Sequence, residues 1–267
     1  DSGYGAMPDW DVSQVTDMSN AFQYRNDFNA DISAWDVSNV TDMSWMFVEA
    51  SAFDQPLNNW DVSSVTNMSR MFQYAQAFNQ DLNTWNVSNV TDMSWMFWGA
   101  SSFNGNLDNW DVSSVSDMVG MFANAYDFNQ PIGDWDFGNV NMGEMFFNAT
   151  SFNQPLNNWD VSSMTSMRYM FYSATSFNQP LDNWDVSNVT DMNSMFIAAY
   201  SFNQSIGDWD VSSVTDMDDM FNSATSFNQD ISNWCVTNIT SEPENFSISS
   251  PLTESNKPIW GTCPSST

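Results

Sequence analysis

The sequence predicts an α/β repeat solenoid, in which each turn of about 25 residues buries its apolar side chains against the turns before and after it. One observation is a regular series of tryptophans. Every spacing in that series is 25 residues except the one from Trp135 to Trp159, which is 24; the members are Trp10, Trp35, Trp60, Trp85, Trp110, Trp135, Trp159, Trp184, Trp209 and Trp234. The second observation is that valine, methionine, phenylalanine, alanine and leucine recur at fixed distances from each tryptophan. Fixed apolar positions at such a period are typical of proteins whose repeats share one core.

The first predicted element of each repeat is a short helix. The apolar side chains in the middle of a repeat are spaced i, i+3, i+4, i+7 and i+10, as in Met43, Met46, Phe47, Ala50 and Phe53. This spacing places them on one face of a helix of about three turns. Thr41 or Asp42 is positioned to cap its first turn.

The second predicted element is a short extended arm. The segment 53–60, FDQPLNNW, contains a proline and is too short and irregular for a helix. We interpret it as a short strand with Leu57 and Trp60 pointing inward. Arms from successive repeats are then expected to pair as a parallel sheet.

The chain divides into a lead-in over residues 1–9, the repeats over residues 10–240 and a C-terminal cap over residues 241–267. Both cysteines, Cys235 and Cys263, lie at the C-terminal end, outside the regular pattern. They are expected to form a disulfide that ties the cap to the last repeat, and they favour an extracellular or cell-surface location. One repeat is a residue short, because the common NVTDM becomes NVNM at residues 139–142. This predicts either a local kink or a tightened turn.

Charge limits the partners and the chemistry. The chain has 33 acidic and 4 basic residues and no histidine, for a net charge of −29. Nucleic acid and anionic membranes are therefore excluded as main partners, whereas cations, basic proteins and neutral glycans are favoured. No run reaches the roughly 20 apolar residues of a membrane helix, so no membrane insertion is expected. With no histidine, and repeated aspartates in equivalent surroundings, the sequence predicts a protein that is not an enzyme.

Aspartates that recur one repeat apart carry a metal hypothesis. Asp36, Asp61 and Asp111 follow their tryptophans directly. Calcium could bridge such carboxylates, since it prefers oxygen ligands. The alternative is that each aspartate accepts hydrogen bonds within its own repeat, a role that asparagine also fills. Asn86 at the same position favours this alternative, so no cofactor is expected and calcium remains the second reading.

Large aromatic side chains also occur where the repeat does not require them. Counted from each tryptophan, positions 10 and 13 vary freely, yet they hold Trp45, Trp95, Trp98, Tyr169 and Tyr172, and the corresponding position of the shortened repeat, 12 residues after Trp135, holds Phe147. Aromatic residues at such variable positions are typical of a contact patch for a ligand. The alternative is that they staple adjacent repeats to one another.

The recurrent WDVSNVTDMS-MF--A--FNQ-L--W resembles the methionine-rich, 25-residue repeat of BspA-like leucine-rich-repeat surface proteins, over residues 10 to about 240. The resemblance implies a leucine-rich-repeat-like, right-handed coil, secretion to the cell surface and a role in adhesion. It implies no catalytic residues. We therefore expect a cell-surface or secreted adhesion module that binds a protein on a host, a neighbouring cell or a surface. The alternatives are a glycan-binding module that uses the exposed aromatics, and a passive structural spacer.

Overall fold

A computed structural model describes residues 7–264 and contains very little regular secondary structure. Within that range the helices are two 3-10 turns, Met7–Asp9 and Glu254–Asn256, and strand pairing is confined to isolated parallel bridges. The predicted α/β solenoid, with one helix and a short strand per repeat in a leucine-rich-repeat-like coil, is therefore wrong. Residues 1–6 of the predicted lead-in and residues 265–267 of the predicted cap lie outside the described residues.

Hydrogen bonds between consecutive repeats hold the chain together instead. Every second residue of the central segment donates its backbone N–H to a carbonyl of the next repeat. In the second repeat these bonds run from Met43 to Asn67 at 3.0 Å, from Trp45 to Ser69 at 2.9 Å, from Phe47 to Met71 at 2.8 Å and from Glu49 to Gln73 at 2.8 Å. The repeats therefore stack in register, each one providing the acceptors for the one before it.

The predicted helix is replaced by a series of tight turns. Between the donors to the next repeat, Met46, Val48 and Ala50 each donate to the carbonyl three residues earlier. Trp45 and Glu49 have φ angles of 62° and 57°, in the left-handed region that an α-helix of L-residues does not enter. Because alternate N–H groups go to the next repeat, they cannot form the i to i−4 bonds of a helix. The helix-like spacing of the apolar residues reflects these turns.

The predicted strand is also absent. Residues 53–60 form no strand, and the parallel bridges lie elsewhere, at one residue per repeat, such as Asp42 with Asn67. The inward orientation of the arm is confirmed, because Leu57 and Trp60 are only 0% and 3% exposed. The Trp60 indole N–H donates to the carbonyl of Ile32 in the preceding repeat, at 3.1 Å. The arm is thus anchored by a side chain and not by sheet pairing.

The core consists of columns of identical side chains. The repeat methionines and phenylalanines from Met43 to Phe227 have essentially no exposed surface. Phe47 stacks on Phe72 with ring centroids 5.4 Å apart, and on Phe53 of its own repeat at 4.1 Å. The prediction that these residues pack against their own copies is confirmed. Each repeat buries its apolar surface against its neighbours.

An asparagine column fixes the outer corner of each repeat. The side-chain oxygen of Asn79 accepts the backbone N–H of Asn104 at 2.8 Å, and the same bond recurs from Asn104 to Asn129. The Gln130 amide also donates to the Asn104 side-chain oxygen, at 2.9 Å. The asparagine side chains therefore join consecutive repeats through hydrogen bonds from the backbone.

The cap continues the hydrogen-bond ladder and closes the core. Phe221 donates its N–H to Phe246, whose ring meets Trp260 edge-on at 5.0 Å. The predicted disulfide between Cys235 and Cys263 is present. Lys257 donates to Glu242 and Glu254, both at 2.7 Å. Burial alone would lower the pKa of Lys257, but the two carboxylates outweigh that effect and raise it.

The shortened repeat interrupts the series of bridges at one position. Asn141 donates its N–H to Ser116 at 3.1 Å and also pairs with Asp117 in a bridge, so one residue fills two positions of the regular repeat. Bridging then resumes only between Ser166 and Asp191. The sequence predicts a local kink or a tightened turn here, and the structure shows a local change, the loss of the bridge between Asn141 and Ser166. The hydrogen bonds from Glu144, Phe146 and Asn148 to the next repeat remain.

Candidate functional site

The six aromatic residues predicted as a contact patch share one set of positions on the turn ribbon. All six are half-buried, in contrast to the fully buried methionines and phenylalanines beside them. We call the surface formed by these residues the aromatic face; its members are Trp45, Trp95, Trp98, Phe147, Tyr169 and Tyr172.

Its first cluster forms around Trp98. The Trp98 ring lies 5.0 Å from the ring of Trp95 and 5.0 Å from that of Tyr74, tilted against both. Glycines make room for the neighbouring rings. A Cβ atom at Gly120 would lie 2.2 Å from the Trp95 indole, and one at Gly99 would lie 2.3 Å from the Tyr74 ring. Trp95 and Tyr74 therefore lie directly over the backbone of the next repeat.

Its second cluster joins the shortened repeat to the one that follows. Phe147 stacks on Tyr172 with centroids 4.5 Å apart, and Tyr169 meets both rings edge-on at 6.2 and 5.9 Å. The Arg168 guanidinium lies 4.6 Å from the centre of the Tyr169 ring and donates to its hydroxyl at 2.8 Å. These contacts order the three rings as one surface.

Charged side chains of both signs accompany these rings. Two of the four basic residues stack on it, Arg168 on Tyr169 and Arg70 on Trp45, the latter at 4.5 Å. Glu144 lies at the same variable position. Burial raises the pKa of the Glu144 carboxyl, and the nearby Arg168 charge partly opposes that rise. The aromatic face thus combines flat rings with charged groups, whereas acidic side chains predominate in the chain as a whole.

The structure supports elements of both readings of these aromatics. Rings of both clusters contact aromatic rings of an adjacent repeat, as stapling requires, whereas Trp45 contacts Arg70. Each of the six keeps an exposed part that a ligand could touch. The prediction from positions 10 and 13 of each repeat did not include Tyr74, which lies at position 14. The signal that could have found it is Gly99, the glycine one repeat later that leaves space for its ring.

The aspartates of the calcium hypothesis are already engaged within their repeats. An Asp36 carboxylate oxygen accepts the Ser38 hydroxyl at 2.6 Å and the Ser38 N–H at 3.1 Å. The hydroxyl bond, with the backbone bond, lowers the pKa of Asp36. Ser63 and Ser113 lower the pKa of Asp61 and Asp111 in the same way. Over residues 7–264, no three histidine, cysteine, aspartate or glutamate side chains group as metal ligands.

None of the helices in the described part of the chain is long and apolar enough to cross a bilayer.

Comparison with known proteins identifies a different family from the one the repeat resembles. A family model described as "Mycoplasma protein of unknown function, DUF285" matches three overlapping stretches, residues 4–107, 80–182 and 141–260. The resemblance to BspA-like leucine-rich-repeat proteins is therefore corrected, because the matching model is that of another repeat family. A search of curated proteins returns no match.

Proposed function

The chain belongs to the repeat family described as Mycoplasma protein of unknown function, DUF285, and from this premise we propose that it is a non-catalytic adhesion module that binds a protein ligand outside the cell. The family description assigns no activity, so the proposal depends on the chain's own side chains.

The aromatic face carries the proposal. Its rings occupy positions that the stack does not require to be large, since Gly120, Ser194 and Asp219 occupy the position of Trp95 in other repeats. Tryptophan, tyrosine and arginine are the residues that contribute most often to binding energy at protein interfaces. Contacts with adjacent repeats hold these rings in place, Trp95 over Gly120, Trp98 against Tyr74 and Tyr169 against Phe147. Little side-chain entropy is therefore lost when a partner binds.

Charge supports a protein partner with a basic surface. A net charge of −29 creates a field that attracts basic proteins and speeds their encounter with the acidic chain. The disulfide between Cys235 and Cys263 supports an extracellular or cell-surface location, because such bonds persist in oxidising surroundings.

Equivalent aspartates support a non-catalytic role. Asp36, Asp61 and Asp111 each accept the backbone N–H of the serine two residues later, at 3.1, 3.0 and 3.1 Å. Acid–base catalysis needs carboxyl groups in unlike surroundings. Within this column the aspartates share the same surroundings, so the column itself does not provide that difference.

Binding to immobilised extracellular-matrix proteins, measured by surface plasmon resonance, tests the proposal. The variant Trp95→Ser/Trp98→Ser should weaken binding by at least about tenfold, equivalent to about 1.4 kcal/mol. The matched control is Tyr126→Ser/Tyr200→Ser, which removes two aromatics that are 45% and 48% exposed outside the aromatic face. The control should bind like the parent.

Melting curves accompany the binding measurements, because Trp95 and Trp98 also contact Tyr74 and Gly120. Binding is compared at a temperature where all variants are folded. Equal weakening by both variants, or no binding to any protein, would contradict the proposal. Binding to a glycan array that depends on Trp95 and Trp98 would instead assign the aromatic face to sugars. If neither a protein nor a glycan binds, the chain is a passive spacer.

A further inference from the structure

The one-residue deletion in the shortened repeat opens a cleft whose lining differs from the rest of the surface. The cleft has a volume of about 520 Å³ and lies where the bridge ladder is broken, between the repeats of Asn141 and Ser166. This volume falls in the range of small-ligand sites, about 300 to 1,000 Å³. None of its lining residues belongs to the aromatic face.

The cleft exists because Asn141 alone fills two positions of the regular repeat and cannot form the hydrogen bonds of both. In regular repeats a threonine or serine donates both its N–H and its hydroxyl to the equivalent residue one repeat earlier. Thr190, for example, donates both to the Thr165 carbonyl, at 2.8 and 3.1 Å. Thr165 itself makes neither bond with any described residue, because the residue it would bond to is the one deleted. Thr165 lines the cleft, and its N–H and hydroxyl have no acceptor among the described residues.

The lining of the cleft is polar but uncharged. Its polar side chains are all hydroxyls or amides, those of Ser116, Asn139, Asn141, Ser163, Thr165 and Ser166. Val140 and Met164, each 4% exposed, add two largely buried apolar side chains. By contrast, the cleft beside the first repeat contains Arg25 and Asp27, and the one against the cap contains Glu242 and Lys257.

We propose that this cleft binds a neutral saccharide. Hydroxyl and amide groups donate and accept hydrogen bonds in both directions, which matches the hydroxyls of a sugar. A charged ligand would find no opposite charge in the cleft, and an anion would also meet the field of an acidic chain. A free backbone N–H beside a free hydroxyl, both on Thr165, provides the pair of groups that would orient the ring. This site is additional to the protein-binding face proposed above and does not depend on it.

Restoring the missing residue is the sharpest test. Inserting a threonine between Val140 and Asn141 recreates the sequence VTNM that occurs naturally at residues 65–68. The inserted threonine should give Thr165 its missing acceptor, close the cleft and raise the melting temperature. Saccharide binding should be lost in this folded and more stable variant, so a loss of binding cannot be attributed to unfolding.

The probes are the methyl glycosides of glucose, galactose, mannose and N-acetylglucosamine, titrated into the isotope-labelled chain and followed by two-dimensional NMR. At least one should shift the Thr165 and Asn141 amide signals saturably, whereas glucuronic acid and glucosamine should bind at least about tenfold more weakly. Thr165→Val, which removes only the hydroxyl, should also weaken binding. The Trp95→Ser/Trp98→Ser variant should bind the saccharide like the parent, which separates this site from the aromatic face.

Three results would overturn the proposal. The first is the absence of saturable shifts with any neutral glycoside, and the second is undiminished binding by the threonine-insertion variant. The third is preferential binding of a short serine- and threonine-rich peptide, which would make the cleft a peptide site.

Discussion

Replacing Gly120 with alanine tests the packing on which the aromatic face depends. Gly120 has a φ of 60° and lies under the Trp95 indole, where an added Cβ would approach ring atoms to 2.2 Å. A methyl group cannot occupy that space, so the indole must swing outward. The expected result is a less stable protein whose Trp95 ring has moved towards solvent.

The loss of unfolding free energy expected for Gly120→Ala has two contributions. An L-residue in the left-handed region costs about 1–2 kcal/mol, of which about 0.4–1 kcal/mol is offset by the lower entropy of the unfolded chain. Moving the indole exposes about 50 to 80 Å² of apolar surface, roughly a third of a tryptophan, at about 25 cal/mol per Å². The sum is a loss of about 2–3 kcal/mol from the free energy of unfolding.

Urea unfolding measures the loss, and the Trp95 indole N–H resonance, assigned with the variant Trp95→Phe, reports the ring position. Gly138→Ala is the matched control, since a Cβ there meets no atom within 4 Å and Gly138 is not in the left-handed region. That variant should match or slightly exceed the stability of the parent.

A double-mutant cycle separates the backbone cost at Gly120 from the cost of exposing the Trp95 indole. In a Trp95→Ala background, Gly120→Ala should cost only the backbone part, about 1 kcal/mol. If the full loss persists without the indole, or if Gly120→Ala leaves stability and the Trp95 resonance unchanged, the ring does not lie over Gly120 and the reasoning is refuted.

Carboxylates in two columns should respond oppositely to acid, and the cap should depend on its disulfide. Burial, aided by the charge of Asp92, raises the pKa of Asp117 despite a hydrogen bond from the Val119 N–H, so Asp117→Asn should raise the melting temperature at neutral pH. That gain should vanish as the pH falls below about 4, the ordinary pKa of the group. The Ser38 bonds lower the pKa of Asp36, so Asp36→Asn should lower the melting temperature at neutral pH. This difference should disappear as the pH falls through the lowered pKa of Asp36. Differences in melting temperature that do not depend on pH would contradict the predictions for Asp117 and Asp36. Replacing Cys235 and Cys263 with serine should destabilise the cap by about 3–4 kcal/mol, the entropy of a loop of this length. Hydrogen exchange at the Phe221 N–H, which bonds to the cap, should accelerate, and unchanged exchange would show that the cap holds without the bond.

Burial could be predicted from the sequence because it follows from repetition. A side chain such as Phe47 or Met68 recurs every 25 residues, and it can do so only where it meets its own copies, so these columns form the core as expected. The disulfide was predicted differently, from two cysteines that lie at the C-terminal end, outside the repeat. Both predictions depended on which residues are present and where they lie in the sequence, and not on the conformation of the backbone.

The backbone itself could not be predicted, for a physical reason. Spacings of three and four residues describe an α-helix, but they also describe successive turns whose alternate N–H groups point to the next repeat. The two differ in φ at Trp45 and Glu49, and neither side chain signals the left-handed region as glycine or asparagine would. Gly99 and Gly120, which occupy these two positions in later repeats, were the available signal. At these positions the bonds between repeats outweigh local preference.

Departures from the repeat are therefore the places where this chain could acquire a specific function. A regular stack uses its backbone donors internally and presents nearly the same outer surface at each repeat. Two departures change that surface: large aromatics at variable positions such as Trp98, and the missing residue before Asn141 that leaves Thr165 without its partners. The first adds apolar area without disturbing the ladder, and the second frees hydrogen-bonding groups by interrupting it. Because the aromatic face and the cleft arise from unrelated changes, substitutions in one should leave binding at the other intact.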